Sequence, residues 1–386
     1  MRGPRFAAVW LGGGLVLACG RSPIDLAPND GQTGAAGTTG AAGSTGVAGS
    51  TGVAGSSAVG AGGIGEGPRP AEGWVNRTPA MRPAAWPSPR QKFALIADDA
   101  AQRVDLYGGF SNATQLSDTW AWNGSSGIWT KFPAKPAGVF DDMAVAYDQR
   151  RNRVVIFGGE SYPVGNPSNG LWTWGFGDPA WTAPPQSSSP AVPSPRILSI
   201  AAYDYALDRV LIKDGGDEPS EMVWAWAVGT NAWTNLTALS SRGPFGPGAF
   251  AWDPRRSVGV YFGGATGNEV WQWDAMSGEW TQEPTAGQEW PPPRSLSAMV
   301  LDRDRGAMML FGGNAFPNGP ALNDLWEWYP DTGWKLLDDG TSGHAPPPRF
   351  MFGMTYDPAI ARLVVFGGNG DGTELDDLWT YQGSSP

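Results

Sequence analysis

The chain repeats one pattern of apolar and polar positions six times between about residue 90 and its C-terminus. Each copy has a short apolar run ending in Asp, a polar turn, and a more apolar run ending in two glycines. A polar stretch of variable length, a Trp-x-Trp segment and, in most copies, a last Trp-led segment follow. In the second copy the main parts are MAVAYD, RVVIFGG and LWTW. Short apolar runs bounded by polar turns predict β-strands, about four in each copy.

The spacing between these parts is almost constant. The double glycine recurs every 48 to 57 residues, at Gly108-Gly109, Gly158-Gly159, Gly215-Gly216, Gly263-Gly264, Gly312-Gly313 and Gly367-Gly368. An aromatic residue precedes it in every copy except the third, where Lys213-Asp214 replace that aromatic. Four strands repeated with a period near 50 residues are typical of the blades of a β-propeller.

The order of Asp turn, Gly-Gly and Trp-x-Trp resembles the kelch repeat, and the resemblance covers residues 73–386. It implies an all-β fold, a six-bladed kelch-type β-propeller similar to the central domain of galactose oxidase. The last copy ends at LWTYQGSSP without a fourth strand, whereas GWVNRT at 73–78 matches the fourth-strand endings of other copies. We therefore expect the ring to be closed by an N-terminal strand in the last blade, which removes the open sheet edges.

The chain before residue 73 has a different character. Residues 1–19 contain two arginines, an apolar run from Phe6 to Ala18 and the sole cysteine, Cys19. That run is short for a membrane span and suits a secretory signal peptide. The segment Val16-Leu17-Ala18-Cys19 resembles a bacterial lipobox, which implies lipidation of Cys19 and an outer-membrane lipoprotein facing the periplasm or the outside. An ordinary signal peptide with an incidental cysteine is the alternative. Residues 20–72 are predicted to be a Gly/Ala/Ser/Thr-rich disordered tether that leads to the propeller at 73–386.

Composition narrows the possible chemistry. The formal net charge of −11 argues against a nucleic-acid-binding protein. One His and one Cys cannot form a Cys/His metal centre or an intrachain disulfide, nor the copper site of galactose oxidase. We expect no cofactor, no metal and a monomer. Four carboxylates within residues 369–377 leave calcium open, although their spacing is not that of an EF-hand.

One interval varies between the copies and points to a binding face. From the second Gly to the first Trp of the pair there are 7 to 13 residues. These loops share a rim with the connections between blades, and variable loops on one face of a repeat array usually bind ligands. The long loops carry Tyr162 and Phe316, each followed by Pro and suited to stack on a sugar or peptide. Packing of these rings onto their own blades is the alternative.

An arginine that follows Pro opens the first strand in four copies: Arg90, Arg196, Arg294 and Arg349. Guanidinium groups at the channel mouth would bind carboxylates or phosphates. Structural hydrogen bonds to carbonyl groups between blades are the alternative, and both roles can coexist. Together with Tyr162 and Phe316, these arginines form the predicted ligand-binding site, with no catalytic residue assigned.

The sequence thus favours a non-catalytic, lipid-anchored module of the bacterial cell envelope that binds a protein, peptide or glycan. The alternative is a carbohydrate mutarotase or epimerase of the sialate-mutarotase type. In that case carboxylates and His344 should converge in the central channel.

Overall fold

A computed structural model describes residues 73–132, 141–161, 166–175, 178–185, 192–213, 223–236, 243–284 and 289–383. Within these ranges the secondary structure is twenty-six β-strands and one 3-10 helix, Gly264–Thr266. No helix in the described ranges is long and apolar enough to cross a membrane. The predicted signal peptide, Cys19, the tether at 20–72 and Tyr162 all lie outside the described residues.

The first three blades follow one another along the chain. The chain begins with β1 (Gly73–Asn76), and blade 1 then contains β2 (Ala94–Asp98), β3 (Arg103–Ser111), β4 (Thr114–Asn123) and β5 (Ile128–Lys131). Blade 2 contains β6 (Asp141–Asp148), β7 (Arg153–Ser161), β8 (Asn166–Pro167) and β9 (Leu171–Gly175), and a bridge from Thr173 to Thr182 marks its outer edge. Blade 3 contains β10 (Ile200–Asp204), β11 (Arg209–Lys213), β12 (Val223–Ala227) and β13 (Ala232–Asn235).

The other three blades complete the ring. Blade 4 contains β14 (Ala249–Asp253), β15 (Val258–Phe262), β16 (Val270–Asp274) and β17 (Trp280–Gln282). Blade 5 contains β19 (Ala298–Asp302), β20 (Ala307–Phe311), β22 (Leu325–Tyr329) and β23 (Gly333–Asp338), with the short pair β18 (Arg294–Ser295) and β21 (Asn314–Ala315) at one end. Blade 6 contains β24 (Gly353–Asp357), β25 (Arg362–Gly370) and β26 (Thr373–Gln382).

The N-terminal strand closes the ring, as predicted. Strand β1 pairs antiparallel with β26, and Trp74 lies opposite Tyr381. The first strands β2, β6, β10, β14, β19 and β24 each contact the first strands of both neighbouring blades, so they surround a central axis. The described part of the chain is therefore a six-bladed β-propeller whose last blade combines both ends of the propeller sequence.

Aromatic residues fill the seams between blades by one repeated contact. In five of the six blades the aromatic residue before the double glycine packs against the fourth-strand Trp of the next blade, with ring centroids 4.7–5.3 Å apart. These pairs are Tyr107–Trp181, Phe157–Trp233, Phe262–Trp334, Phe311–Trp74 and Phe366–Trp129. Aromatic contacts of this kind add to the burial of large apolar areas. Trp74 therefore supplies the fourth-strand Trp that blade 6 would otherwise lack.

The third-strand tryptophans are also largely buried in the core. Trp174 is buried, stacks on Trp181 at 5.8 Å and meets Phe132 of blade 1 at 6.2 Å. Trp172 is half-buried and packs against the same cluster. The seams therefore use tryptophans from both the third and the fourth strands.

The six blades share one turn at the end opposite the double glycines. We call this end the turn rim; it comprises residues 98–103, 148–153, 204–209, 253–258, 302–307 and 357–362. In every blade the Asp that ends the first strand accepts a hydrogen bond from a backbone N–H two or three residues later. Such an Asx turn reverses the chain without a ligand. The turn rim is thus a uniform structural feature.

Removal of Trp74 tests the closure of the ring. We expect Trp74→Ala to lower the free energy of unfolding by roughly 3–5 kcal/mol, because it leaves a cavity against Phe311 and Tyr381. Met81→Ala is the matched control, since Met81 is exposed shortly after the same strand. Urea unfolding measures both variants, and equal stability of the two would contradict closure by β1.

Candidate functional site

The double glycines form the joints between consecutive blades. The N–H groups of Gly159, Gly313 and Gly368 donate to the backbone carbonyl of the arginine that opens the next blade, over 2.8–3.0 Å. The preceding glycine has positive φ, and a Cβ on Gly312 or Gly367 would lie 2.9 Å from that same carbonyl oxygen. Only glycine combines this backbone conformation with so close an approach. The motif that dominates the sequence is therefore a junction.

The arginines that open blades 1, 5 and 6 complete this junction with their side chains. Each guanidinium forms a two-pronged ion pair with an Asp at the start of its own third strand and donates to the carbonyl of its own first glycine. These sets are Arg90–Asp118–Gly108, Arg294–Asp324–Gly312 and Arg349–Asp377–Gly367. The same Asp also accepts the indole N–H of the first Trp of the pair. We call each set an arginine clasp.

The clasps leave little of these arginines for a ligand. Arg90, Arg294 and Arg349 have 0% exposure, and their Nε atoms donate to the carbonyl of the residue two positions earlier. Arg196 is also buried, and it donates to the carbonyl and the hydroxyl of Ser194. These partners are structural, but they belong to the arginine's own blade and the segment before it and are not the carbonyl groups between blades that the sequence alternative named. A ligand-binding role for the four arginines stays a prediction.

Phe316 lies where the sequence predicted an accessible ring. It belongs to the connection between the second and third strands of blade 5, and it is 37% exposed. Its backbone N–H donates to the carbonyl of Pro293, which fixes the loop against the start of the blade. Together with the corresponding connections of the other blades and the segments before the first strands, this loop forms what we call the loop rim.

A ring of backbone hydrogen bonds surrounds the axis at the loop rim. In five blades the residue two positions before the first strand lies at the ring, and its counterpart in blade 2 is the second residue of β6. We call these six residues the mouth ring: Lys92, Asp142, Leu198, Pro247, Leu296 and Met351. Five of them have φ between +54° and +59°. Four N–H groups donate to the mouth-ring carbonyl of the preceding blade: Lys92 to Met351, Met351 to Leu296, Leu296 to Pro247 and Leu198 to Asp142. Pro247 has no N–H and cannot continue the series to blade 3.

A compact charged group lies at the mouth ring between blades 1 and 2. The ligand atoms of Asp141, Asp142 and Glu160 lie within 4.8 Å of one another. The Lys92 ammonium is 2.8 Å from Asp142 Oδ2 and 3.9 Å from Asp141 Oδ2. Gln115 Nε2 donates to Asp141 and, over 2.7 Å, to the Glu160 carbonyl. We call Asp141, Asp142 and Glu160 the mouth carboxylates.

Burial governs the ionisation of this group. Burial raises the pKa of Asp142 to about 7, although the neighbouring Lys92 ammonium acts in the opposite direction. Burial also raises the pKa of Asp141. Burial lowers the pKa of Lys92, but the carboxylates of Asp142 and Asp141 more than offset this, so its pKa is raised. Burial therefore makes the charged form of the Asp141 and Asp142 carboxyl groups less stable than that of ordinary surface acids.

The sequence analysis missed the mouth carboxylates, although a signal was present. Asp141 pairs with Glu160 in the register that joins Gln91 to Phe110, Ser295 to Asn314 and Phe350 to Asn369 in other blades. In these four blades the residue after the double glycine therefore faces the residue before the mouth ring. Of these four blades, blade 2 is the one with acidic residues at both positions. An alignment of the six sequence copies can detect this difference.

The acidic segment at 369–377 does not form a common cation site in the structure. Asp376 forms an ion pair with Arg82, Asp377 belongs to the clasp of Arg349, and Asp371 accepts the N–H of Ala321. Glu374 accepts the N–H of Asn112. The four carboxylates therefore contact four different partners.

His344 lies away from the group that a mutarotase would require. It is exposed in the connection between β23 and β24, and its backbone N–H donates to Ser342 Oγ. The mouth carboxylates lie instead with Lys92 and Gln115. The geometry does not support the mutarotase alternative.

Comparisons with known proteins agree with this architecture. The KLHDC2/KLHL20/DRC7 Kelch-repeats domain matches residues 255–385, which include most of blade 4 and both following blades. The described residues form a six-bladed β-propeller that is consistent with the kelch type. Dynein regulatory complex subunit 7 of Chlamydomonas reinhardtii is 30% identical over 109 residues, 28% of this chain. tRNA wybutosine-synthesizing protein 4 of Emericella nidulans is 34% identical over 85 residues, 21% of this chain.

These similarities are confined to the propeller repeats. The matched segments span 9% and 8% of the two relatives' own lengths. Kelch propellers commonly bind protein partners, so this kelch propeller is consistent with a protein-interaction module. The similarities give no support to an enzymatic sugar mutarotase.

The junction predicts a large difference between two glycine substitutions. Gly367→Ala should destabilise the protein well beyond the roughly 1–2 kcal/mol of a left-handed alanine, because its Cβ would meet the Arg90 carbonyl. Gly127→Ala is the control, since Gly127 also has positive φ but has open space around its Cβ position. Chemical denaturation measures the free energy of unfolding of both variants. Equal losses in Gly127→Ala and Gly367→Ala would contradict the role of the double glycine as a tight junction between blades.

Proposed function

We propose that this kelch propeller is a non-catalytic binding module that captures a protein partner on its loop rim. The observation that carries this proposal is the contrast between the two ends of the ring. The turn rim repeats one Asx turn in all six blades. The loop rim differs from blade to blade. A surface that varies while its scaffold stays constant is suited to recognition.

The differences on the loop rim have a clear structural basis. In blades 1 and 6 the second and third strands extend into hairpins past the double glycine. Blade 4 has the 3-10 helix at the corresponding place, and blade 5 has the β18–β21 pair. Each of these blades therefore presents its own backbone outline on the same framework. Phe316 adds an exposed aromatic ring, a residue type that is favoured in protein interfaces.

Site-specific photo-crosslinking in the cell of origin tests this assignment, because it captures a partner whose identity is still open. Benzoylphenylalanine at position 316 samples the loop rim, and the same residue at position 276 samples the other end of the ring. Met276 is a suitable control because it is 74% exposed in the turn after β16. We expect a discrete protein adduct from position 316 and none from position 276. An adduct from position 276 only, or from neither position, would contradict the proposal.

We also propose that the propeller is attached to a bacterial outer membrane through lipid on Cys19, with residues 20–72 as the tether. The lipobox-like segment before Cys19 supports this location. Cys19→Ser should abolish incorporation of labelled fatty acid and move the protein from the membrane fraction to the soluble fraction. A Cys19→Ser protein that stays in the membrane fraction would exclude lipid anchoring at this residue.

A further inference from the structure

We propose that the mouth carboxylates bind a positively charged side chain, lysine or arginine, of the protein partner. This inference rests on the proposed function and assigns the partner's chemistry at one place on the loop rim. The site consists of Asp141, Asp142 and Glu160, beside Lys92 and the ring of Phe110. The inferred ligand group is therefore basic, whereas the predicted binding role of the arginines would require an acidic ligand.

The first argument is the balance of charge at the mouth. The guanidinium groups of Arg90, Arg294 and Arg349 are fully buried and neutralised by Asp118, Asp324 and Asp377. They therefore contribute little positive field at the loop rim. The mouth carboxylates, in contrast, face one cation, Lys92, within the described part of the chain, so three acids share a single ammonium group. A cationic ligand complements this group.

The second argument is a shortage of hydrogen-bond donors. Asp142 is 1% exposed, and its Oδ1 accepts no hydrogen bond within the described part of the chain. The same holds there for Asp141 Oδ2, which has only the Lys92 ammonium at 3.9 Å. Buried carboxylate oxygens normally have donors, and an orphaned one is unfavourable. An ammonium or guanidinium group carries several donors and would supply what is missing.

The third argument is that the site already binds one basic side chain, Lys92. Its ammonium contacts Asp142 and lies 5.7 Å from the centroid of the Phe110 ring, so it combines an ion pair with a cation–π contact. A second basic side chain would use the same two interactions with Asp141, Glu160 and Phe110. The Lys92 ammonium repels any second cation, and the carboxylates of Asp141 and Glu160 have to offset that repulsion because Lys92 already pairs with Asp142.

Glu160 is the carboxylate of the site that a ligand can reach from the loop rim. Asp141 and Glu160 are paired at the ends of β6 and β7 next to the mouth ring, and Glu160 is half-buried. Asp141 and Asp142 are each 1% exposed and lie beside it. A long, flexible basic side chain suits such a site, because its apolar stem can cross the rim while its charged end reaches the carboxylates.

Fluorescence anisotropy with labelled tetra-lysine and tetra-glutamate tests the inference on the purified full chain. We expect tetra-lysine to bind, more tightly at low salt, and tetra-glutamate not to bind. Glu160→Gln should weaken tetra-lysine binding roughly tenfold, the effect of losing one charge-assisted hydrogen bond. Asp339→Asn is the matched control, since it removes the same charge from an exposed loop and should leave binding unchanged.

Several results would overturn the inference. These are no binding of tetra-lysine, binding of tetra-glutamate in its place, or an equal loss of affinity in Asp339→Asn and Glu160→Gln. Calorimetric titration with Ca²⁺ and Mg²⁺ covers the competing cation, and saturable metal binding that Glu160→Gln abolishes would identify a metal site instead. Thermal unfolding of Glu160→Gln checks that the variant is folded.

Crosslinking separates failure of this inference from failure of the proposed function. If position 316 still yields its adduct while tetra-lysine does not bind, the loop rim binds a partner by other chemistry. If position 316 yields no adduct, the partner-binding function itself is wrong. In the supporting case, Glu160→Gln reduces both the adduct and the affinity for tetra-lysine.

Discussion

The arginine clasp is the interaction on which the geometry of the ring depends. In blades 5 and 6, for example, the backbone of Arg349 pairs with Leu322 and Gly313 of blade 5, while its guanidinium binds Asp377 and Gly367 of blade 6. One residue therefore fixes both the distance and the angle between two blades. The positive φ of the glycines follows from it, because the arginine backbone must approach them closely. The clasp also orients the first Trp of the pair, because its indole N–H donates to the same Asp.

The blades without a complete clasp show what else can hold a seam. In the third copy Lys213 replaces the aromatic residue before the double glycine, yet its ammonium lies 5.7 Å from the centroid of Trp280 in blade 4. It therefore keeps the contact with the next fourth-strand Trp as a cation–π interaction. The ammonium also donates to the carbonyl of Pro244 at 2.6 Å and lies 4.8 Å from the centroid of the Tyr261 ring. Lys213 departs from the repeat sequence but keeps the contact with the fourth-strand Trp of the next blade.

The fold can be predicted from the sequence because the repeated residues are the ones that make the inter-blade contacts. Trp74 can be assigned to blade 6 from the repeats alone, since the sixth copy lacks the Trp that the aromatic seams require. The site is less predictable. The repeats single out the arginines, but whether a guanidinium faces a ligand or an Asp on its own blade depends on side-chain geometry that spacing does not give. The mouth carboxylates come from separate strands, and only the register of β6 and β7 brings them together.

A double-mutant cycle on Arg349 and Asp377 tests the central role of the clasp most directly. Because removal of either partner leaves a buried charge unpaired, each single alanine substitution should lower the free energy of unfolding by roughly 3–5 kcal/mol. The double variant should lose far less than the sum, with a coupling energy of about 2–3 kcal/mol. The same cycle on the more exposed pair Arg82 and Asp376 should give about 0–1 kcal/mol. Additive effects within about 0.5 kcal/mol at Arg349 and Asp377 would contradict the clasp as the constraint that orders the ring.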